Sequence, residues 1–153
     1  MTAFTDTIGF SKGTASIPAS RGQFSLIQVE LDFAAIVAAR SAASATALAA
    51  ADTLQIINLP AKCAVLQAGL DVITAETTNT TATFDLGFTG GSPAAANVFG
   101  NDVASNSTGV TGTGLAAPLV FASADTIDLL LNTAAPTDAV VQVWAIVVDL
   151  TAK

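Results

Sequence analysis

The stretch ADTIDLLLN at residues 124–132 has a near copy, ADTLQIIN, at residues 51–58. Both begin with Ala-Asp-Thr and continue as an alternating apolar segment, and each is soon followed by a proline, Pro60 or Pro136. Aspartate and threonine side chains can bond to nearby backbone groups and so turn the chain before a strand begins. Two such strand entries far apart are typical of a sandwich built from two Greek-key halves, as in a jelly roll, although chance similarity between strands would leave the same pattern.

Strand patterns recur along the rest of the chain. Residues 25–33 alternate with a period of two and place Ile27, Val29, Leu31 and Phe33 on one face. An alanine-rich stretch predicts one short helix at residues 34–40. Many short strands with turn residues between them, and at most one short helix, predict an all-β fold, a jelly-roll-like β-sandwich. The other predicted strands are residues 53–59, 64–73, 81–88, 118–121, 126–132 and 139–150.

The composition divides the chain into an arm and a domain. Residues 1–23 are rich in Thr, Ser, Gly and Ala and are predicted to form an extended N-terminal arm, with a partly disordered terminus as the alternative. Residues 24–153 are predicted to form the β-sandwich domain. Inside it, the glycine-rich residues 89–117 predict a long loop insertion, interrupted by one short strand or docking point near Val98 and Phe99.

The last predicted strand, residues 139–150, is apolar on both faces. Val141, Val143 and Val147 share one face, and Trp144 lies on the other. A sandwich strand needs only one apolar face. The second face is therefore expected to be covered by the arm, the helix or another subunit, and we favour another subunit. With the two solitary aromatics of the arm, the predicted subunit or capsid contacts are Phe4, Phe10, Val141, Val143, Trp144 and Val147.

Composition and charge limit the classes of molecule that the chain is expected to bind. The chain is 52% hydrophobic and 11% charged, and typical soluble domains are about 25% charged. Because a monomer rarely exposes large apolar patches, this balance favours an oligomer or an assembly component. Five scattered bases against twelve acids give a net charge of −7, which argues against nucleic acid as a partner. The nearest approach to a membrane segment, residues 34–51, contains Arg40, which costs about 3 kcal/mol at a bilayer centre, so no membrane partner is expected.

The chain lacks the residue types that most catalytic and metal sites need. It contains no histidine, which nucleophilic triads use as a base, and a single cysteine, whereas zinc sites need several Cys and His ligands. Cys63 is predicted to be a small buried residue rather than a reactive thiol. Asp125 and Asp128 form the one attractive carboxylate pair, but acids here are better explained as turn formers and solvated faces. We therefore expect no enzyme activity, no cofactor, no metal site and no small-molecule substrate.

Several segments resemble small structural proteins of tailed bacteriophages and, within that group, the capsid decoration, or cement, proteins. The resemblance covers roughly residues 24–150 without the glycine-rich tract, and it rests on strand and turn patterns. The matching segments are residues 124–129, 132–137 and 140–150 and, earlier in the chain, residues 51–59, 59–61 and 65–69. It implies a jelly-roll or related β-sandwich, often trimeric on the outer capsid, and it carries over no catalytic residue.

The resemblance implies a virion structural protein. Such a protein would be made in the bacterial host cytoplasm, bind the major capsid protein on the outer capsid surface as a homotrimer, and stabilise the shell by bridging neighbouring subunits. Either residues 1–23 or residues 89–117 would make the capsid contact. The alternatives are a carbohydrate-binding or adhesin module, in which Trp144 would be the aromatic contact, and another virion component of the tail or the head–tail junction.

Overall fold

A computed structural model describes residues 3–4, 24–88 and 95–151, with the backbone alone at residues 3–4 and 112–117. The described residues are mostly strand with one short helix, so the predicted all-β class is confirmed. In chain order the elements are β1 (Ala3–Phe4), β2 (Phe24–Asp32), α1 (Phe33–Ala42), β3 (Thr53–Leu59), β4 (Cys63–Thr74), β5 (Thr83–Phe88), β6 (Ala95–Ala104), β7 (Gly109–Phe121), β8 (Asp125–Leu131) and β9 (Val140–Asp149).

The strands form two sheets. The front sheet has the order β2-β9-β4-β7, and the back sheet has the order β1-β3-β8-β5-β6. All neighbouring strands are antiparallel except β1, which runs parallel to β3 with Ala3 opposite Thr53. Without β1, the two four-stranded orders are those of an eight-stranded jelly roll. The predicted sandwich is therefore confirmed.

The duplicated phrase forms two neighbouring strands, because β3 and β8 pair with each other in the back sheet. Asp52 accepts a hydrogen bond from the backbone N–H of Ala49 at 2.8 Å. Asp125 accepts one from the backbone N–H of Thr126, also at 2.8 Å. Both aspartates thus bond to backbone at the strand entry, as the sequence predicts.

The buried core contains three contacts between phenylalanine rings. Phe33 stacks on Phe84 with ring centroids 5.7 Å apart. Phe88 meets Phe99 and Phe121 edge to face at 5.8 and 5.0 Å. Such pairs stabilise by about 0.5–1.5 kcal/mol beyond the area they bury. Phe99 belongs to the glycine-rich tract, so that tract contributes to the core.

The expectation of a long loop at residues 89–117 is wrong over most of its length. Strand β6 covers Ala95–Ala104 and pairs with β5, and β7 begins at Gly109 and pairs with β4. Residues 89–94 lie outside the described part. The sequence here has few apolar side chains in alternation, but pairing with a neighbouring strand satisfies backbone N–H and C=O groups whatever the side chain.

The helix follows β2 directly. Its N-cap is Asp32, whose carboxylate accepts a hydrogen bond from the backbone N–H of Ala35 at 3.0 Å. It runs to Ala42, slightly beyond the predicted end at Arg40. Within the described residues, no helix has the length and apolar character needed to cross a bilayer. The predicted arm, residues 1–23, lies outside the described part except for the two residues of β1.

Candidate interaction surface

The outer face of the front sheet has an apolar end. In β2 the residues that alternate with the buried core positions point outward, and the strand register extends this face across β9, β4 and β7. The row that begins at Phe24 is apolar on all four strands. We call Phe24, Leu26, Val120, Ile146 and Val148 the apolar corner.

The apolar corner is open to solvent. Phe24 is 72% exposed, Leu26 62% and Val120 54%. Ile146 and Val148, on the central strand β9, are half-buried between their neighbours. Large apolar side chains grouped in this way mark surfaces that bind another molecule.

The other end of the same face is acidic. Glu30 on β2 and Asp71 on β4 lie opposite Gln142 of β9, one on each side. Val110 of β7 follows in the same row, beside Asp71, and is 69% exposed. The face therefore changes from apolar and uncharged to acidic along the strand direction.

Trp144 lies between these two ends. Its cross-strand neighbours are Gln28 on β2 and Gly69 on β4. The Gln28 amide donates a hydrogen bond to the Gln142 side-chain oxygen at 3.2 Å. The indole is half-buried. Trp144 is thus the member of the predicted contact set that the described residues place on this outer face.

The three predicted contact valines lie in the core. Val141, Val143 and Val147 have no exposed surface and pack between the two sheets. A side chain without exposed surface cannot contact a second subunit unless the sandwich opens, so the folded chain excludes these three from a subunit contact. Of the remaining predictions, Phe4 lies in β1, where only the backbone is described, and Phe10 lies outside the described residues.

Sequence reasoning missed Phe24, Leu26 and Val120. A signal for the first two was present, since Phe24 and Leu26 occupy the face of β2 that otherwise carries Gln28, Glu30 and Asp32. Two large apolar residues on a polar face indicate a contact surface. Val120 carried no such signal, because only the strand pairing places it in the row of Phe24.

A buried carboxylate connects two loops at one end of the sandwich. Glu76, which follows β4, is 2% exposed. One of its oxygens accepts hydrogen bonds from the backbone N–H groups of Thr137, Asp138 and Ala139 at 2.7, 3.0 and 3.2 Å. The other accepts from the N–H of Asn79 at 2.8 Å and from the Thr137 hydroxyl at 2.9 Å. The β4–β5 and β8–β9 loops are therefore held together through one side chain.

Asp138 makes the reciprocal contact. Its carboxylate accepts hydrogen bonds from the backbone N–H of Thr77 at 2.8 Å, from the Thr77 hydroxyl, and from the Thr78 hydroxyl at 3.3 Å. Burial alone would raise the pKa of Glu76, but the hydrogen bonds donated by Asn79, Asp138 and Thr137 outweigh it and lower the pKa from 4.5 to about 2. Glu76 is therefore ionised at neutral pH.

Asp125 and Asp128, the carboxylate pair considered for catalysis, accept hydrogen bonds from a neighbouring residue. Asp125 accepts from the backbone N–H of Thr126, and Asp128 accepts from the Thr126 hydroxyl at 2.5 Å. Asp128 is 2% exposed. The Asp125 contact fits the interpretation of that acid as a turn former. Asp128 lies inside β8 and is buried, so for this residue the expectation of a turn former or a solvated face is wrong. Within the described residues, no group of three or more His, Cys, Asp or Glu side chains is placed to hold a metal ion.

Cys63 is fully buried, as the sequence predicts. Burial, with a smaller contribution from the charge of Asp149, raises the pKa of its thiol from 9.0 to about 11, although a backbone hydrogen bond lowers it. Because the thiolate is the reactive form, we expect Cys63 in the folded chain to react with an aromatic disulfide reagent at pH 8 at least about 100-fold more slowly than in the unfolded chain. The rate of absorbance change with and without denaturant measures this, and equal rates would contradict it.

The fold is shared with chains of phage capsids. A chain from the capsid of Ralstonia phage GP4 matches with a TM-score of 0.63 and 15% identity, covering 98% of this chain and 99% of that one. A chain from the cyanophage Pam1 capsid asymmetric unit matches with a TM-score of 0.59 and 17% identity, covering 88% and 91%. One from the acid-stable capsid of Helicobacter pylori bacteriophage KHP30 gives 0.55 and 13%, covering 86% and 92%. No protein-family model and no curated protein matches the sequence. At these identities the likeness shows a common fold.

Proposed function

We propose that this chain is a virion structural protein that binds the outside of a phage capsid as a homotrimer and stabilises the shell by bridging neighbouring subunits of the major capsid protein. The observation that carries the proposal is the fold likeness, which covers 86–98% of this chain and involves chains of three phage capsids. The strand and turn patterns that resemble decoration proteins support the finer role.

Physical considerations agree with a bridging role on the outer surface. A shell filled with DNA is pushed outward, and a protein attached to several subunits adds contacts that must break before the shell opens. Each contact can be weak, because attachment at two or three points multiplies affinity through effective concentration. The net charge of −7 disfavours a position beside the packaged DNA, whose phosphates would repel it.

Binding to capsids tests the proposal directly. Capsids of the phage that carries this gene, prepared from a strain in which the gene is deleted, are mixed with the purified chain and sedimented through a gradient. We expect saturable co-sedimentation, and we expect the decorated capsids to release their DNA at a higher temperature than bare ones. A heat-unfolded sample of the same chain is the control for nonspecific adsorption.

The other outcomes separate the alternatives. Absence of co-sedimentation would overturn the proposal. Labelling of intact particles only at the tail or at one vertex, by an antibody to the chain, would favour the other virion role. Binding to a glycan array that is lost in Trp144→Ala would favour the carbohydrate-binding alternative, because an exposed aromatic ring is the usual contact for a sugar face.

A further inference from the structure

We infer that the apolar corner is the surface through which copies of this chain pack against one another. This inference rests on the proposed function, because it names the contact that holds the proposed trimer together. The occupant of the corner is a second copy of the same chain.

The apolar corner is strongly exposed to solvent. Phe24 and Leu26 are adjacent outward positions on β2, and both expose more than half of their surface. Val120 on β7 lies in the cross-strand row of Phe24. Removing the exposed surface of side chains such as Phe and Leu from water is favourable, so leaving the whole group in water is costly. A surface of this kind is expected to be covered in the assembled state.

The distribution of charge on the chain favours a second copy as the occupant of the corner. With a net charge of −7, two copies repel each other over most orientations. The two rows that form the corner contain no charged residue, and the acids Glu30 and Asp71 lie towards the opposite end of the face. Copies that meet at the corner therefore avoid placing like charges against each other. Permanent interfaces between identical chains are typically apolar and depleted of charge at their centre.

The position of the apolar corner in the front sheet also suits a contact between copies. The corner crosses the front sheet from the edge strand β2 to the other edge strand β7, at one end of the strands. A patch at an edge can approach a rotation axis, where residues beside the axis meet their own equivalents from the other copies. Trp144 lies on the next row inward, beside the corner, and large aromatics are enriched among residues that dominate interface energies.

Native mass measured by light scattering over a range of concentrations tests the inference. The test variant is Leu26→Glu, which places a charge in the uncharged corner. The matched control is Val110→Glu, on the same outer face at its acidic end and with comparable exposure, 69% against 62% for Leu26. We expect the wild type and Val110→Glu to be trimeric. For Leu26→Glu we expect the concentration below which the trimer dissociates to be at least about 100-fold higher than for the wild type. Both positions are exposed, so we expect all three proteins to unfold at similar temperatures.

The outcomes distinguish this inference from the function on which it rests. A trimeric Leu26→Glu, or equal dissociation of Leu26→Glu and Val110→Glu, would overturn the inference and leave the capsid role untouched. A monomeric wild type would overturn both the inference and the homotrimer in the proposed function, and capsid binding would then be tested separately. If that monomer still bound capsids and Leu26→Glu did not, the corner would be the capsid contact instead. If Leu26→Glu alone lost the trimer but neither the wild type nor any variant bound capsids, the inference would stand. The proposed capsid binding would then be wrong.

Discussion

Glu76→Gln is expected to lower the free energy of unfolding by about 3–5 kcal/mol at pH 7. The Glu76 carboxylate accepts backbone N–H groups from both loops, including those of Thr137, Asp138 and Asn79. An amide in the same place presents an NH₂ group to some of these N–H groups, so buried donors would face a donor and remain unpaired. Urea unfolding followed by tryptophan fluorescence measures the loss.

The contribution of Glu76 also makes the stability of the fold depend on pH. The pKa of Glu76 is lowered in the folded state to about 2, so ionisation of this group contributes stability that is fully present above its unfolded pKa of about 4.5. That contribution is lost as the pH falls from about 4.5 towards about 2, and a shift of this size corresponds to about 3 kcal/mol. We expect the difference in stability between the wild type and Glu76→Gln to shrink over this range.

Glu30→Gln is the control, because Glu30 is an exposed glutamate on β2. We expect it to change the free energy of unfolding by less than about 0.5 kcal/mol. If Glu76→Gln were as stable as Glu30→Gln at pH 7, or if its deficit were unchanged at pH 3, the proposed role of the buried carboxylate would be wrong.

Gly87→Ala is expected to destabilise the fold by about 3 kcal/mol or more, at the upper end of the range for overpacked sites. A Cβ atom on Gly87 would lie 2.0 Å from the carbonyl oxygen of Ala95 and 2.5 Å from the carbonyl carbon of Ala96. Both atoms belong to the backbone of β6, so relief requires β6 to move away from β5. The midpoint of urea unfolding, with the slope held in common, measures the effect.

Gly100→Ala is the matched control in the same pair of strands. The two atoms nearest to a Cβ at Gly100 would be a methyl carbon of Val103 at 3.3 Å and the Cβ of Leu86 at 3.6 Å. A side-chain methyl can shift by a few tenths of an ångström, so we expect a loss well below that of Gly87→Ala. Equal stability of the two variants would show that the close approach of β6 at Gly87 does not constrain the sheet.

Local pattern was sufficient for much of the fold. The strand prediction at residues 53–59 coincides with β3, and β2 buries Ile27, Val29 and Leu31 as their alternation predicts. The period of two is a property of the strand itself, so a half-buried strand shows its inward face in the sequence. For strand β6 the sequence indicated only one short strand or docking point near Val98 and Phe99, because the residues of β6 alternate poorly and are held by pairing with β5.

The prediction assigned three valines of β9 to a subunit or capsid contact, although they lie in the core. Alternation separates Val141 and Val143 from Trp144 and Ile146, but when both faces are apolar it cannot tell which face is the core. That choice depends on which sheet packs behind the strand. The back sheet covers the valines, which leaves Trp144 and Ile146 on the outer face.

The all-β class, most strand positions, the aspartates at the strand entries and the absence of histidine can be read from the chain alone, because they depend on single residues and short periods. The apolar corner and the contact between Glu76 and the β8–β9 loop appear only when the chain is folded. The corner joins Phe24 to Val120 through strand register, and Glu76 meets Thr137 across 61 residues of chain. Such contacts arise from topology, which no local pattern encodes.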